Sequence, residues 1–257
     1  MNRIDALFQS KKNNILSIYF TAGYPLPDSM PIIIKSLAEA GVDLIEIGVP
    51  FSDPLADGPV IQKSNEAALR NGMNVNLLFR QLENIRTTIN IPLILMGYFN
   101  PVLWYGVEAF CRKCNKTGID GIILPDLPPE QYFLHYSSTF VKYGLKNILL
   151  ISPQTGDERI RMIDELSGGF VYMVSSASTT GIKRGFSGGQ KEYFGRIKAM
   201  NLTKPRLVGF GISDAETFME ACKIANGAII GSAFIKLLGE KGAAKETISG
   251  FIKGIRA

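Results

Sequence analysis

Short apolar, β-favouring runs alternate along the chain with longer amphipathic stretches. The runs cover residues 15–20, 44–48, 92–97, 121–124, 147–152, 170–175, 207–210 and 228–231. They are apolar throughout rather than alternating, as parallel strands covered on both faces should be. Eight such strands with intervening helices predict an α/β fold, a single (β/α)8 TIM barrel over residues 1–257 with an extra N-terminal helix. Helix signals lie between the runs. Asp28 is placed to cap a helix that Gly41 ends, and Pro59 stands at the first position of a helix that Gly72 ends. Residues 75–88 and 131–143 read as further helices, and 233–238 as a short one. Ser213-Asp214-Ala215-Glu216 has capping-box spacing directly after a strand.

Two segments echo each other: Glu39-Ala40-Gly41-Val42-Asp43-Leu44-Ile45-Glu46 and Lys116-Thr117-Gly118-Ile119-Asp120-Gly121-Ile122-Ile123. Each reads as helix stop, turn and strand, the internal similarity of repeated βα units. The longest stretches between strand ends follow the second and sixth strands. Extra length after a strand falls on the C-terminal face of a barrel, so these loops are where chemistry is expected.

Composition narrows the function classes. The chain is 46% hydrophobic and 20% charged, which suits a large core, and no apolar run reaches the ~20 residues of a membrane span. The N-terminus lacks an apolar signal core, and three cysteines are too few for a disulfide scaffold, so a cytoplasmic location is expected. The net charge of +5 is scattered, with small clusters at Lys11-Lys12 and Lys183-Arg184 and no basic stripe among aromatics. Nucleic acid is therefore not an expected partner, whereas an anionic small molecule fits a mildly positive surface. Cys111-x-x-Cys114 lies within a helix with no second pair nearby, and the single histidine, His135, sits in another helix away from any strand end. Both read as structural, and no metal or cofactor site is expected in this chain.

Two constellations carry candidate chemistry. Glu46 is an acid inside an apolar strand. Pointed into the barrel mouth it would be desolvated and poised for proton transfer; the structural alternative is a buried ion pair with a Lys or Arg. Asp57 follows in a Pro- and Gly-rich loop, where by itself it reads as a turn residue or cap. The second constellation is a phosphate cradle: Gly181 in the sixth loop, Gly211 after the seventh strand, and Gly231-Ser232 where the eighth strand opens a helix. Glycines admit close backbone approach and a helix N-terminus favours an anion, the arrangement of phosphate-binding barrels.

The segment Glu46-Ile47-Gly48-Val49-Pro50-Phe51-Ser52-Asp53-Pro54-Leu55-Ala56-Asp57-Gly58-Pro59 resembles the signature of the tryptophan synthase α-subunit family. Tyr172-Met173-Val174-Ser175, Thr180-Gly181, Gly209-Phe210-Gly211-Ile212-Ser213 and Gly231-Ser232 match later family segments in order. The resemblance implies retro-aldol cleavage of indole-3-glycerol phosphate to indole and glyceraldehyde 3-phosphate. It implies an α2β2 complex with a pyridoxal-phosphate-dependent β subunit that receives the indole. It makes Glu46 and Asp57 the catalytic pair and puts Tyr172 near the glycerol part. Tyr19, Met96, Ile123 and Ile229 fall at the indole pocket, and Gly181, Gly211, Gly231 and Ser232 hold the phosphate. Asp53, Pro54 and Thr180 fall in two mobile loops that close the site and signal to β. The chain departs from better-known members in its Ser/Thr-rich sixth loop, residues 175–181, and in Tyr19, where Phe is common. Without a strand-end Lys for a Schiff base or His for a metal, the substrate itself must be the electron sink. The same absences argue against an indole-glycerol-phosphate synthase or a sugar-phosphate epimerase. A catalytically weak barrel that only activates β is the remaining alternative.

Overall fold

The computed structural model describes residues 1–175 and 187–257. Helix α1 (Arg3–Ser10) precedes the first strand, β1 (Ile15–Thr21). Then come α2 (Ser29–Glu39), β2 (Leu44–Gly48), α3 (Pro59–Arg70), α4 (Val75–Leu82), β3 (Leu93–Met96), α5 (Phe99–Tyr105), α6 (Val107–Thr117) and β4 (Gly121–Ile123). The second half runs α7 (Pro129–His135), α8 (Ser137–Lys142), β5 (Lys146–Asn147), β6 (Leu149–Ile151), α9 (Asp157–Leu166), β7 (Val171–Val174) and α10 (Gly188–Ala199). It ends with β8 (Arg206–Gly209), α11 (Ala215–Cys222), β9 (Gly227–Ile230), α12 (Ser232–Lys241) and α13 (Lys245–Arg256). The strands are parallel, in the order β5-β4-β3-β2-β1-β9-β8-β7-β6. β5 and β6 are two parts of the fifth barrel strand, which pairs with β4 before Ile148 and with β7 after it. One strand changing partners thus brings the two sheet edges together, and the eight expected strands appear as nine segments.

Alternation sorts the side chains into two apolar clusters. Leu16, Ile18, Phe20, Ile45, Ile47, Leu95 and Ile122 face the helices. Tyr19, Leu44, Ile94, Ile123, Ile148, Phe170, Tyr172, Leu207 and Ile229 fill the barrel, and Ile4 and Phe8 of α1 join this interior cluster. A Cβ on Gly121 or Gly169 would press on Ile4, so these glycines give the N-terminal helix its seat. Among the described residues no helix is long and apolar enough to cross a membrane.

The echoed segments play equivalent parts. At each helix stop a glycine takes positive φ, Gly41 at 85° and Gly118 at 76°. The following amide reaches back over the last turn, Val42 N–H to the Leu37 carbonyl and Ile119 N–H to that of Cys114. The aspartates that follow anchor neighbouring strands: Asp43 accepts from Leu16 N–H and Asp120 from Leu93 N–H, at 2.8 and 2.9 Å. Cations surround each, Lys11 and Arg256 at Asp43, Arg3 and Arg86 at Asp120. Asp120 is almost wholly buried, so Asp120→Ala takes from Arg86 its counter-charge, leaving it the carbonyls of Gly118, Ile89 and Ile91, and orphans the Leu93 amide. Thermal or urea unfolding should show a loss of about 3–5 kcal/mol; a melting point within a degree of wild type would reduce the cluster to surface decoration.

Local details depart from the pattern. Asp28 stands before α2 but makes no side-chain cap; it accepts from Gln81 Nε2 instead. The capping box sits one residue later than its sequence spacing suggested, between Asp214 and Thr217. Residues 75–88 form α4 and a separate 3-10 turn, Ile85–Thr87, because Asn84 adopts a left-handed conformation between them. Residues 131–143 divide at Tyr136, and the short helix expected at 233–238 runs over the whole of α12.

Candidate active site

Glu46 lies in the middle of β2, in register with Tyr19 of β1 and Ile94 of β3, and its side chain is fully buried. No ion pair reaches it among the described residues. Its Oε1 accepts a 2.8 Å hydrogen bond from Ser17 Oγ, and its buried Oε2 has no partner among the described residues. Burial raises the Glu46 carboxyl to about 7 against the pull of the serine bond. Among the described residues the fold therefore gives Glu46 no salt bridge; it builds a carboxylic acid raised toward neutrality by burial.

Asp57 is half-buried in the loop between β2 and α3. Gln62 Nε2 donates to its backbone carbonyl at 2.9 Å, which ties the loop to α3. Its carboxyl is weakly held: Tyr98 Oη and Asn65 Nδ2 both lie 3.5 Å from Oδ2, at the outer limit of hydrogen bonding. Tyr98 stacks on Phe51 and accepts a 2.9 Å bond from Ala56 N–H, so it braces the loop as well. Burial raises Asp57 to about 6. Asp53 is exposed and Pro54 partly so on the same loop, beside Leu55, which is 90% exposed.

Tyr19 and Tyr172 are buried in the barrel interior and feel both carboxylates. Burial, and then the nearby negative charge, push both phenols up, so they stay protonated. Each hydroxyl has room because the neighbouring strand carries glycine: a Cβ on Gly48 would collide with the Tyr19 hydroxyl, and one on Gly209 with that of Tyr172. Met96, Ile123 and Ile229 belong to the same interior cluster, the first at its edge. The sequence-selected pocket residues therefore share one lining with Glu46.

At the β8 and β9 ends, Phe210 and Gly211 both take positive φ, and Ser175 Oγ donates to the Phe210 carbonyl at 2.6 Å. Gly231 precedes α12 and the exposed Ser232 opens it, with no side-chain cap on the first-turn amides. Two successive βα turns thus present backbone on the face where the strands end. Thr180, Gly181, Lys183 and Arg184 lie outside the described residues. A separate cleft of 260 Å³ between the loops after β4 and β6 is lined by Leu124, Asp126, Thr155 and Arg159 and includes neither carboxylate. Cys111 and Cys114 are buried thiols, the first pushed up to about 12 by burial, and His135 lies on the surface. Sequence reasoning passed over Ser17, Asn65 and Tyr98. Ser17 was visible in principle, as the polar residue in an apolar strand two positions before Tyr19.

The chain resembles proteins of one family along its length. The family model described as tryptophan synthase alpha chain matches residues 6–252. The tryptophan synthase alpha chain of Flavobacterium johnsoniae is 60% identical, covering 100% of both chains. That of Flavobacterium psychrophilum is 58% identical over 99% of this chain and 100% of its own. Among solved structures, tryptophan synthase subunit alpha from Legionella pneumophila superposes with a TM-score of 0.88 at 34% identity, covering 100% and 97% of the two chains. Tryptophan synthase of Mycobacterium tuberculosis does so with 0.88 at 33%, covering 100% and 99%.

Proposed function

Because the chain belongs to the tryptophan synthase alpha chain family, whose members cleave indole-3-glycerol phosphate in tryptophan biosynthesis, we propose that Glu46 and Asp57 perform that cleavage here. The observation that carries the assignment is Glu46 itself: a fully buried carboxyl, without an ion pair among the described residues, raised to about 7 within the strand register of the barrel interior. An acid of that strength can give and retake a proton near neutral pH. Glu46 protonates indole C3, which makes the ring an electron-poor indolenine. The bond from C3 to the glycerol carbon then breaks toward the ring. The glycerol hydroxyl on that carbon becomes the aldehyde, and its proton returns to Glu46. Asp57 accepts a hydrogen bond from indole N1–H, which strengthens as positive charge develops on the ring. Tyr19, Met96, Ile123 and Ile229 enclose the indole, and Tyr172 borders the glycerol.

The phosphate rests on Gly211, Gly231 and Ser232, with Gly181 completing the cradle and Thr180 closing over Asp57 as the family resemblance implies. Ser232→Asp tests the cradle more cleanly than a bulky residue at Gly231, where a Cβ would also press on Tyr19 at 3.3 Å. A carboxylate at the start of α12 should raise KM for indole-3-glycerol phosphate roughly tenfold or more by like-charge repulsion. Binding of free indole in the reverse reaction should stay near wild type; equal weakening of both would displace the phosphate from this turn.

The chain itself needs no cofactor in this scheme. It pairs with a β subunit that carries pyridoxal phosphate, in an α2β2 assembly in the cytoplasm, with Asp53 and Pro54 on the loop that faces the partner. A cleavage assay of the purified chain, with and without β, tests the activity and separates it from a barrel that only activates β.

A further inference from the structure

We infer that Ser17 is a positioning residue for this reaction: its hydroxyl fixes Oε1 of Glu46 and leaves Oε2 as the oxygen that delivers and recovers the proton. The inference rests on the proposed role of Glu46. Ser17 sits on β1 one layer below the carboxyl, in register with Leu44 of β2 and Ile229 of β9, and is fully buried. Its surroundings in that layer are apolar, so a hydroxyl there is costly unless it is hydrogen-bonded. An aliphatic side chain would serve packing better, and the bond that accounts for the hydroxyl is the 2.8 Å one to Glu46. Oε2 is equally buried and has no partner among the described residues. Among the described residues the carboxyl is thus held by one oxygen and free at the other.

This asymmetry suits the chemistry. The terminal torsion of a glutamate is broad, so an untethered carboxyl presents either oxygen at many angles. The serine donates to Oε1 whether Glu46 is a carboxylate or an acid protonated on Oε2, so orientation survives the transfer. In the forward step the Oε2–H bond breaks and the proton bonds to indole C3. The C–C bond then breaks, its electron pair neutralising the ring, and the glycerol hydroxyl returns a proton to Oε2 as its O–H pair forms the carbonyl. The titratable groups that interact with Glu46 are Tyr19 of β1 and Tyr172 of β7, and both tyrosines also interact with Asp57 of the β2–α3 loop. Both tyrosines stay neutral, so among these only Asp57 also changes charge near neutrality.

The test compares wild type, Ser17→Ala, Ser17→Thr and Glu46→Gln. Indole release from indole-3-glycerol phosphate is measured from about pH 5 to 9, with and without β, and a melting curve is taken for each variant. Ser17→Ala should lower kcat about tenfold with little change in KM or Tm. Because the serine bond favours the ionised carboxyl, its loss should move the alkaline limb of kcat up by about one pH unit. Ser17→Thr, which keeps a donor, should return the limb to its wild-type position; if its extra methyl lowers Tm, Ser17→Ala alone decides. Wild-type kcat and limb in Ser17→Ala overturn the inference. So does a loss of kcat with an unmoved limb, which makes Ser17 a packing residue. Turnover by Glu46→Gln would instead remove the role of Glu46, and the inference with it, whatever the serine variants do.

Discussion

Glu46→Gln should abolish indole release and, at alkaline pH, make the protein more stable. The amide fills the same space and can still accept from Ser17, so substrate-analogue binding should persist. It cannot carry the proton, and loss of one positioned acid–base group typically costs ~10²–10⁴-fold in rate. The stability effect follows from the raised carboxyl. In the unfolded chain Glu46 titrates near 4.5, in the folded protein at about 7. Below 4.5 it is protonated in both states and does not affect folding. Between about pH 4.5 and 7 the unfolded chain gives up this proton freely while the folded protein holds it on a buried carboxyl. The native protein then loses stability, on the order of 3 kcal/mol once both states are charged. Glutamine carries no such penalty. The Tm of the variant should therefore gain on wild type between pH 5 and pH 8, while the indole assay stays at background. Retained turnover would take Glu46 out of the reaction, and a Tm difference that ignores pH would mean its carboxyl is not desolvated.

Asp57→Asn should lose ~10²–10³-fold in kcat, the usual cost of removing one electrostatic partner of a developing charge. With Asp57 raised to about 6 and Glu46 to about 7, the active form holds one carboxylate and one carboxylic acid. Wild-type kcat should fall as pH drops through 6 and Asp57 loses its charge. It should fall again as pH rises through 7 and Glu46 loses its proton. Asp57→Asn should remove the acidic limb and keep the alkaline one. Its fold should be intact, because Gln62 grips the Asp57 backbone rather than its carboxyl. Normal turnover with a lowered Tm would return Asp57 to the status of a turn residue.

The barrel was legible because buried parallel strands announce themselves as apolar runs, and because glycines mark the helix stops that β2 and β4 follow. Pattern could not show that the fifth strand changes partners at Ile148, since its first half, Lys146-Asn147, is polar and only its pairing with β4 marks it as strand. The breaks at Asn84 and Tyr136 were hidden for a related reason: amphipathic period continues across them while one residue leaves helical geometry. At the site, Glu46 stood out as a charge in an apolar strand, and Asp57, Gly211 and Gly231 followed from strand-end position and family resemblance. Their supports did not. Ser17, Asn65 and Tyr98 come from other elements and meet the carboxylates only in three dimensions. The glycines at 48 and 209 look like ordinary strand ends until the tyrosine hydroxyls they accommodate are placed.

Cleavage by this chain is read out by mixing the purified protein with indole-3-glycerol phosphate and following indole and glyceraldehyde 3-phosphate together over time. The two products should appear in equal amounts, β should accelerate their release, and Glu46→Gln should stop it. A folded wild-type chain that releases no indole above the uncatalysed rate, with or without β, would contradict the assignment of Glu46 and Asp57 as the catalytic pair.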